Sequence, residues 1–232
     1  MARSGGPRRP ARPAPGRVAK KPRPARSAAP ASAPLERREF RLGIVPGVMP
    51  GKWVAAWSEQ MPHVRLELRQ LAAAEQRDAL EQGLVDAVLA RLPLERDGLH
   101  VIALYEEMPV VVVPADSDLT AADELELSDL AGEVLIVPAD DTLAVEAPGT
   151  SAPAFDPPGS TADAIATVAA GVGVVIVPMS LARLHARRDV EARPLRDGPG
   201  STVALAWRRD ADGDDVQVLA GIVRGRTARS SR

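Results

Sequence analysis

The sequence predicts an α/β protein with two lobes, preceded by a basic tail. From residue 40 onward, short apolar or alternating segments typical of strands follow one another with helical segments between them. Two continuous apolar runs that both end in proline, VVVVP (110–114) and VVIVP (174–178), enclose residues 115–173. A chain that leaves one lobe and returns to it needs two crossing segments, and we interpret this pair as those segments.

The first lobe is predicted to begin with a strand, FRLGIV (40–45), followed by a loop rich in proline and glycine. Trp53, Trp57 and Met61 then fall on one face of a helix that Pro62 ends. The next segment, VRLELRQL (64–71), alternates apolar and charged residues as a half-buried strand does. After it the pattern predicts a helix over 72–84 and strands over 85–92, 100–105 and 108–114.

The second half of the chain continues the alternation of helices and strands. Ser160 and Thr161 precede an apolar periodic segment that has Asp163 in its first turn, which is the pattern of a capped helix start. That helix is predicted to end at Gly171. The other predicted elements are a helical turn (125–132), strands (134–138, 172–178, 190–195 and 202–207) and helices (181–188 and 214–224).

The net charge of −2 combines segments of opposite charge. Residues 1–34 carry nine basic side chains, eight prolines and no acid, whereas all 31 acidic residues lie from Glu36 onward, against 20 basic ones. Such a segment buries too little apolar surface to fold, so we predict a disordered tail over 1–39. Its candidate contacts to DNA, weak and not sequence-specific, are Arg8, Arg9, Arg12, Lys20, Lys21, Arg23 and Arg26. A linker or solubilising role is the alternative.

Composition excludes several classes of protein. The chain contains no cysteine, which excludes disulfides, thiolate metal sites and a cysteine nucleophile. No apolar run approaches the roughly 18 residues that a membrane helix needs, so we expect no membrane association. The segment before residue 40 lacks the apolar stretch of a secretory signal, and this predicts a cytoplasmic location.

The sequence offers no motif for catalysis, metals or cofactors. The three histidines lie far apart, and no GxSxG, HExxH or phosphate-loop motif occurs. Asp140 and Asp141 stand in a loop rich in proline and aspartate, where carboxylates are normally solvated. Gly171 and Gly173 lack the third glycine of a dinucleotide fingerprint and precede a strand rather than a helix. We therefore predict a binding protein, not an enzyme, with no cofactor and no metal.

Six segments in order along residues 40–229 carry a resemblance to a known family. They are FRLGIVPG (40–47), ALEQGLVDAVLARLP (79–93), LYEEMPVVVVPADSDL (104–119), ELSDLAGEVLIV (126–137), ADAIATVAAGVGVVIVPMSLA (162–182) and PLRDGPGSTVALAWRRD (194–210). This region resembles the effector-binding (substrate-binding) domain of LysR-type transcriptional regulators. The resemblance implies the type II periplasmic-binding-protein fold, in which two Rossmann-like lobes are joined by two crossing hinge strands.

The resemblance also implies an organisation and partners. Lobe I would comprise 40–113 and 179–229, and lobe II would comprise 114–178. A small-molecule effector would bind between the lobes, the domain would form a homodimer, and the chain would act in transcriptional regulation.

The N-terminal segment departs from the family pattern. Family members carry a winged helix-turn-helix and a linker helix before the effector domain. Here 39 residues precede it, and proline recurs too densely for either helix of that motif. We therefore expect this chain to act through a partner, or through DNA contacts of the tail that do not read sequence.

The family's ligand positions correspond to the loop after the first strand, the end of the third strand, the hinge exit, a lobe II loop and a helix start. They are Pro46, Gly47, Val48, Met49, Arg91, Pro93, Pro114, Asp140, Ser160 and Thr161. The family usually has serine or threonine in the first loop, where Val48 and Met49 stand in this chain. An anion would therefore be bound there by the backbone amides ahead of the following helix, without a side-chain hydroxyl. Ser160 and Thr161 have a second interpretation as purely structural caps.

Arg91 stands at the carboxyl end of a buried-looking strand, where open α/β sheets bind ligands. From Asp97 to Ala182 the chain has 15 acidic residues and no lysine or arginine. If the ligand is a carboxylate, Arg91 or Lys52 must therefore supply the positive charge. The alternative is that Arg91 pairs with a nearby carboxylate, for which the candidates are Asp86, Glu95 and Asp97.

Two other functions fit the same sequence. One is a solute-binding protein with no role in transcription, which would require export. The other is a degenerate domain that senses nothing, with the basic tail folded back on an acidic lobe II.

Overall fold

The computed structural model describes residues 1, 2, 6 and 38–225. The chain divides into a unit over Met1–Leu35 and a compact unit over Glu36–Arg232, and the fold below is that of the second unit. The seven basic tail residues named above lie outside the described residues, so the tail stays a prediction.

The second unit is a mixed α/β fold, as predicted. Its strands are β1 (Arg38–Ile44), β2 (Val64–Gln70), β3 (Ala87–Arg91), β4 (Leu99–Glu107), β5 (Pro109–Pro114), β6 (Val175–Pro178), β7 (Val190–Pro194) and β8 (Ser201–Arg208). Its helices are α1 (Gly51–Gln60), α2 (Gln76–Glu81), α3 (Thr161–Ala169), α4 (Met179–Leu184) and α5 (Asp214–Val223). Single 3₁₀ turns occur at Ala73–Glu75, Asp118–Ala121, Leu127–Leu130 and Arg209–Ala211. Within the described residues no helix is both long and apolar enough to cross a membrane.

The first sheet has the strand order β2-β1-β3-β8-β4. β1 pairs in parallel with β2 and β3, and β8 runs antiparallel to both β3 and β4. The carboxyl ends of β1 to β4 therefore meet the amino end of β8 at one edge. Trp57 in α1 anchors the core on one face, because its ring lies 5.0 Å from Phe40 and its Nε1 donates to the Val64 carbonyl at 3.0 Å.

The second sheet has the order β6-β5-β7, with β5 antiparallel to both neighbours. The predicted crossing segments, 110–114 and 174–178, are therefore wrong as crossings: they pair with each other inside this sheet. The reason is burial on both faces. Val110 and Val112 contact the core under α3, while Val111 and Val113 pack into a second core on the opposite face. A central strand of this kind has a continuous apolar sequence.

The chain does cross twice between the sheets, at other places. The first crossing is Met108, between β4 and β5, and the second is the segment 195–200, between β7 and β8. β7 also belongs to the second sheet, although the predicted lobe I included it. The part of the chain that carries the second sheet, 109–194, is called the second lobe below, whereas the prediction gave lobe II as 114–178.

The predicted strand 134–138 forms isolated bridges instead of a regular strand. Val134 bridges to Ser151, and Leu135 bridges to Val174 in parallel. The Ile136 amide also donates to the Val174 carbonyl at 2.8 Å. Since this segment runs parallel to the strand that ends at Pro178, its own end at Pro138 lies at the same edge of the second sheet.

Candidate functional site

A cavity of about 870 Å³ lies where the carboxyl ends of the first sheet face α4 of the second lobe. The first lobe contributes the loop after β1, the start of α1 and the ends of β2 and β4. Its lining residues are Gly47, Val48, Met49, Lys52, Trp53, Gln70, Tyr105, Glu107, Met108, Met179, Ser180, Arg183 and Leu184. This position, beyond the carboxyl ends of strands, is where open α/β sheets bind small ligands.

The predicted ligand loop lies at this cavity. Gly47, Val48 and Met49 line it, and the neighbouring Pro46 carbonyl accepts a hydrogen bond from Arg91 Nη2 at 3.4 Å. Gly47 has φ +84°, in the left-handed region that favours glycine. A Cβ at this position would also overlap the Ser180 hydroxyl. The backbone conformation and the close approach of Ser180 both favour glycine here.

Arg91 lies beneath the cavity and does not line it. Its side chain is 2% exposed, and its Nη1 forms an ion pair with Glu107 Oε2 at 3.0 Å. The same nitrogen donates to Ser201 Oγ at 2.6 Å, and Nη2 donates to Ser180 Oγ at 3.2 Å. Arg91 thus pairs with a carboxylate, but with Glu107 and not with the three sequence candidates. Of those, Asp86 pairs with Arg41 at 2.7 Å.

Two other cations line the cavity, one from each lobe. Lys52 is on α1 and Arg183 is on α4. Among the described residues, neither has a carboxylate oxygen within 4.0 Å. Lys52 Nζ lies 5.5 Å from the centroid of the Trp53 ring. Lys52 was expected from the sequence, and Arg183 was not. The signal for Arg183 is that it is the first basic residue after the long acidic stretch.

Tyr105 gives the cavity a neutral hydroxyl. Burial raises the pKa of Tyr105, the Glu107 carboxylate raises it further, and Arg91 lowers it, with a net rise. The phenol therefore stays protonated at neutral and mildly alkaline pH, where it can donate a hydrogen bond to a ligand.

Pro93 and Pro114, both predicted site residues, lie away from this cavity. Pro93, which follows a cis peptide bond, lines a separate shallow cavity of about 360 Å³ with Leu92 and Gly200. The prediction that Pro114 lies at the hinge exit is wrong. Pro114 ends β5 opposite Val190, at the end of the strand remote from the crossing.

Asp140, Ser160 and Thr161 come together at the start of α3. Thr161 Oγ1 donates to Asp140 Oδ1 at 2.9 Å. Ser160 Oγ accepts from the Asp163 amide at 3.2 Å and donates to its carboxylate at 2.7 Å. The predicted cap is confirmed. These residues are absent from the lining of the 870 Å³ cavity, although Pro138, just before Asp140, ends at the same sheet edge as Pro178.

Replacing Ser160 by alanine is expected to lower the free energy of unfolding by about 1 kcal/mol, the ordinary effect of removing an N-cap hydroxyl. The matched control is Ser58→Ala, because that hydroxyl bonds the Val54 carbonyl within α1 and caps nothing. Urea denaturation of both variants measures the difference. An equal loss in the two variants would contradict the capping role.

The chain matches the family model described as LysR substrate binding domain over residues 33–228. The HTH-type transcriptional regulator CatR of Pseudomonas putida is 32% identical over 162 residues, which cover 66% of this chain and 55% of CatR. A probable hydrogen peroxide-inducible genes activator of Mycobacterium avium is 28% identical over 211 residues, covering 85% of this chain and 68% of that one. The chain thus spans little more than half the length of CatR.

Solved structures share the fold. The BenM effector binding domain with its effector benzoate superposes with a TM-score of 0.67 at 20% identity, covering 83% of this chain and 93% of that one. The reduced form of OxyR gives 0.68 at 21% identity, covering 85% of this chain and all of that one, 100%. A two-lobed α/β fold with this topology and a family match over 33–228 lead to one assignment: the chain belongs to the LysR substrate-binding domain family.

Proposed function

We propose that this chain is a small-molecule effector-binding domain that takes part in transcriptional regulation from the cytoplasm. The observation that carries the proposal is the 870 Å³ cavity between the lobes, at the carboxyl ends of the first sheet. The relatives are named as transcriptional regulators or gene activators, which supports a binding role over an enzymatic one.

The ligand we propose is a carboxylate with an apolar body. Lys52 and Arg183 would bind the carboxylate, since Arg91 is already paired inside the fold. Apolar side chains, among them Met49, Trp53 and Leu184, would cover the rest of the molecule. Thiol oxidation within this chain cannot be its signal, because the chain has no cysteine.

The proposal includes a homodimer and salt-dependent contacts of the basic tail with DNA or a partner. Two tails on one dimer would reinforce each other's weak contacts through effective concentration. Sequence-specific reading of DNA is not part of it.

A melting screen of small carboxylates tests the proposal, with benzoate as the first probe. A bound carboxylate raises the melting temperature by stabilising the folded state. For each compound that does so, Lys52→Gln and Arg183→Gln are each expected to weaken affinity by about tenfold to a hundredfold, since hydrogen bonds to charged groups contribute about 1.5–3 kcal/mol. Titration calorimetry measures the change.

The control is Arg65→Gln, which removes one positive charge from an exposed position of β2 outside the cavity. It is expected to leave affinity unchanged. Equal affinity in the double variant Lys52→Gln/Arg183→Gln would refute the assignment of the carboxylate to these two side chains. A full panel without any melting shift would refute effector binding of this class.

A further inference from the structure

We infer that Ser180 latches the two lobes together at the base of the cavity, through its hydroxyl and the Arg91–Glu107 ion pair. Ser180, Glu107 and Arg91 are called the Ser180 latch. The cavity's importance as an effector site rests on the proposed function, but the latch itself does not.

The latch joins residues of different lobes. Ser180 Oγ donates to Glu107 Oε2 at 2.7 Å and accepts from Arg91 Nη2 at 3.2 Å. Glu107 and Arg91 end strands of the first sheet, whereas α4 belongs to the second lobe, where Leu181 and Ala182 pack into the core with β5 and β6. One hydroxyl therefore connects a helix of the second lobe to the first sheet.

Arg91 contacts a residue that flanks each of the two crossings between the lobes. Glu107 is the last residue before the first crossing, and Ser201 is the first strand residue after the second one. Arg91 Nη1 contacts both, at 3.0 Å to the carboxylate and 2.6 Å to the hydroxyl. At the first crossing the Met179 amide, which begins α4, also donates to the Met108 carbonyl at 3.1 Å. Arg91, Glu107 and Ser201 all belong to the first sheet, so a change in the angle between the lobes would act on the two hydrogen bonds of Ser180.

The ligand loop packs directly on the latch. A Cβ added at Gly47 would overlap Ser180 Oγ and would lie 3.1 Å from Leu181 Cδ2 and 3.2 Å from Arg91 Nη2. The absence of a side chain at Gly47 thus allows α4 to come close to the first lobe. A side chain there would push α4 away from the first lobe.

The latch also forms one wall of the cavity. Ser180 and Glu107 line it, and Arg91 lies behind them with its side chain 2% exposed. A ligand in the cavity would contact Ser180 and Glu107, and its binding would then be coupled to the lobe angle. The Glu107 carboxylate would repel a ligand carboxylate from this wall and orient it toward Lys52 and Arg183.

The lobe separation can be measured without any ligand. The chain has no cysteine, so Glu59→Cys on α1 and Ala166→Cys on α3 give two unique, exposed sites for spin labels. Labelled chain is diluted with unlabelled chain so that distances between protomers do not contribute. Pulsed electron-spin resonance then gives the distribution of distances between the lobes.

We expect Ser180→Ala and Gly47→Ala each to shift this distribution to longer distances. The matched control for Gly47 is Gly98→Ala, because Gly98 also has a positive φ, +71°, but a Cβ there would meet nothing within 4 Å. The control for the serine is Ser58→Ala, whose hydroxyl lies within α1. Both controls are expected to keep the parent distribution.

An unchanged distribution in Ser180→Ala would overturn the latch, whatever Gly47→Ala does, because packing alone would then hold the lobes. Ser180→Ala keeps both charges of the ion pair, so it tests the hydroxyl even if Gly47→Ala fails to fold. A ligand screen that finds no compound would refute the proposed effector class and would leave this distance measurement unaffected.

Discussion

Replacing Arg91 by leucine is expected to lower the free energy of unfolding by about 3–5 kcal/mol, the effect of removing one partner from a buried ion pair. The Glu107 side chain is only 10% exposed and would lose its cation. The hydroxyl of Ser201, which accepts from the same guanidinium at 2.6 Å, would lose that donor. Urea denaturation measures the loss.

Restoring charge balance should recover much of this stability. Arg91→Leu alone leaves the Glu107 carboxylate without its cation, and the double variant Arg91→Leu/Glu107→Gln replaces that carboxylate by a neutral amide. The stability loss of the double variant should therefore be smaller than the sum of the losses of the two single variants. Arg187→Leu is the surface control, because its partner Asp189 is half exposed, and its effect should stay within about 0.5 kcal/mol. Additive losses in the cycle would show that the pair is not coupled.

The partner of Arg91 shows what sequence could not supply. The carboxyl end of an apolar strand was sufficient to single out Arg91. Its partner depends on sheet order: β8 lies between the strands that end at Arg91 and Glu107, and this antiparallel strand is contributed from far along the chain. The sequence candidates were those nearest along the chain, whereas the fold brings a more distant carboxylate to the guanidinium.

The hinge shows a second limit. Periodicity located the strands near their observed places, because side-chain alternation and apolar runs are local properties. The same apolar run fits a crossing segment and a central strand equally well, and only pairing decides between them. The prediction of a strand over 110–114 is therefore confirmed, but the prediction that this strand crosses between the lobes is wrong. Met108 and 195–200, which do connect the sheets, have no such pattern.

The lining of the 870 Å³ cavity was predictable in part, again because some of it depends on local sequence. Gly47 to Met49 follow a strand directly, so their place at its carboxyl edge is fixed locally. Arg183 lies on a helix of the second lobe and reaches the cavity only because α4 begins beside the crossing. The family resemblance places Pro114 at the hinge exit, but β5 is the central strand of the second sheet and Pro114 ends it opposite Val190, far from the crossing.

Gly173→Ala is expected to cost about 3 kcal/mol or more, at the upper end of the range for overpacking. A Cβ at Gly173 would overlap the Val134 carbonyl oxygen, and it would lie 2.8 Å from Val134 Cβ and 3.0 Å from its carbonyl carbon. Two of these atoms are backbone atoms, so no side-chain rotation relieves the overlap. The segment that leads to Pro138 must move away from β6.

Gly171→Ala is the matched comparison two residues away. Gly171 has φ +76° and open space around its Cβ position, so alanine there adds only conformational strain, about 1–2 kcal/mol. Hydrogen exchange separates the two causes. The Val174 amide donates to the Val134 carbonyl at 2.9 Å, and the Ile136 amide donates to the Val174 carbonyl at 2.8 Å. Both amides should exchange faster in Gly173→Ala than in Gly171→Ala. Equal stability losses and equal exchange would mean that close packing at Gly173 does not hold the segment before Asp140 in place. The faster exchange we expect would assign the two glycines of this segment different physical roles, one conformational and one steric.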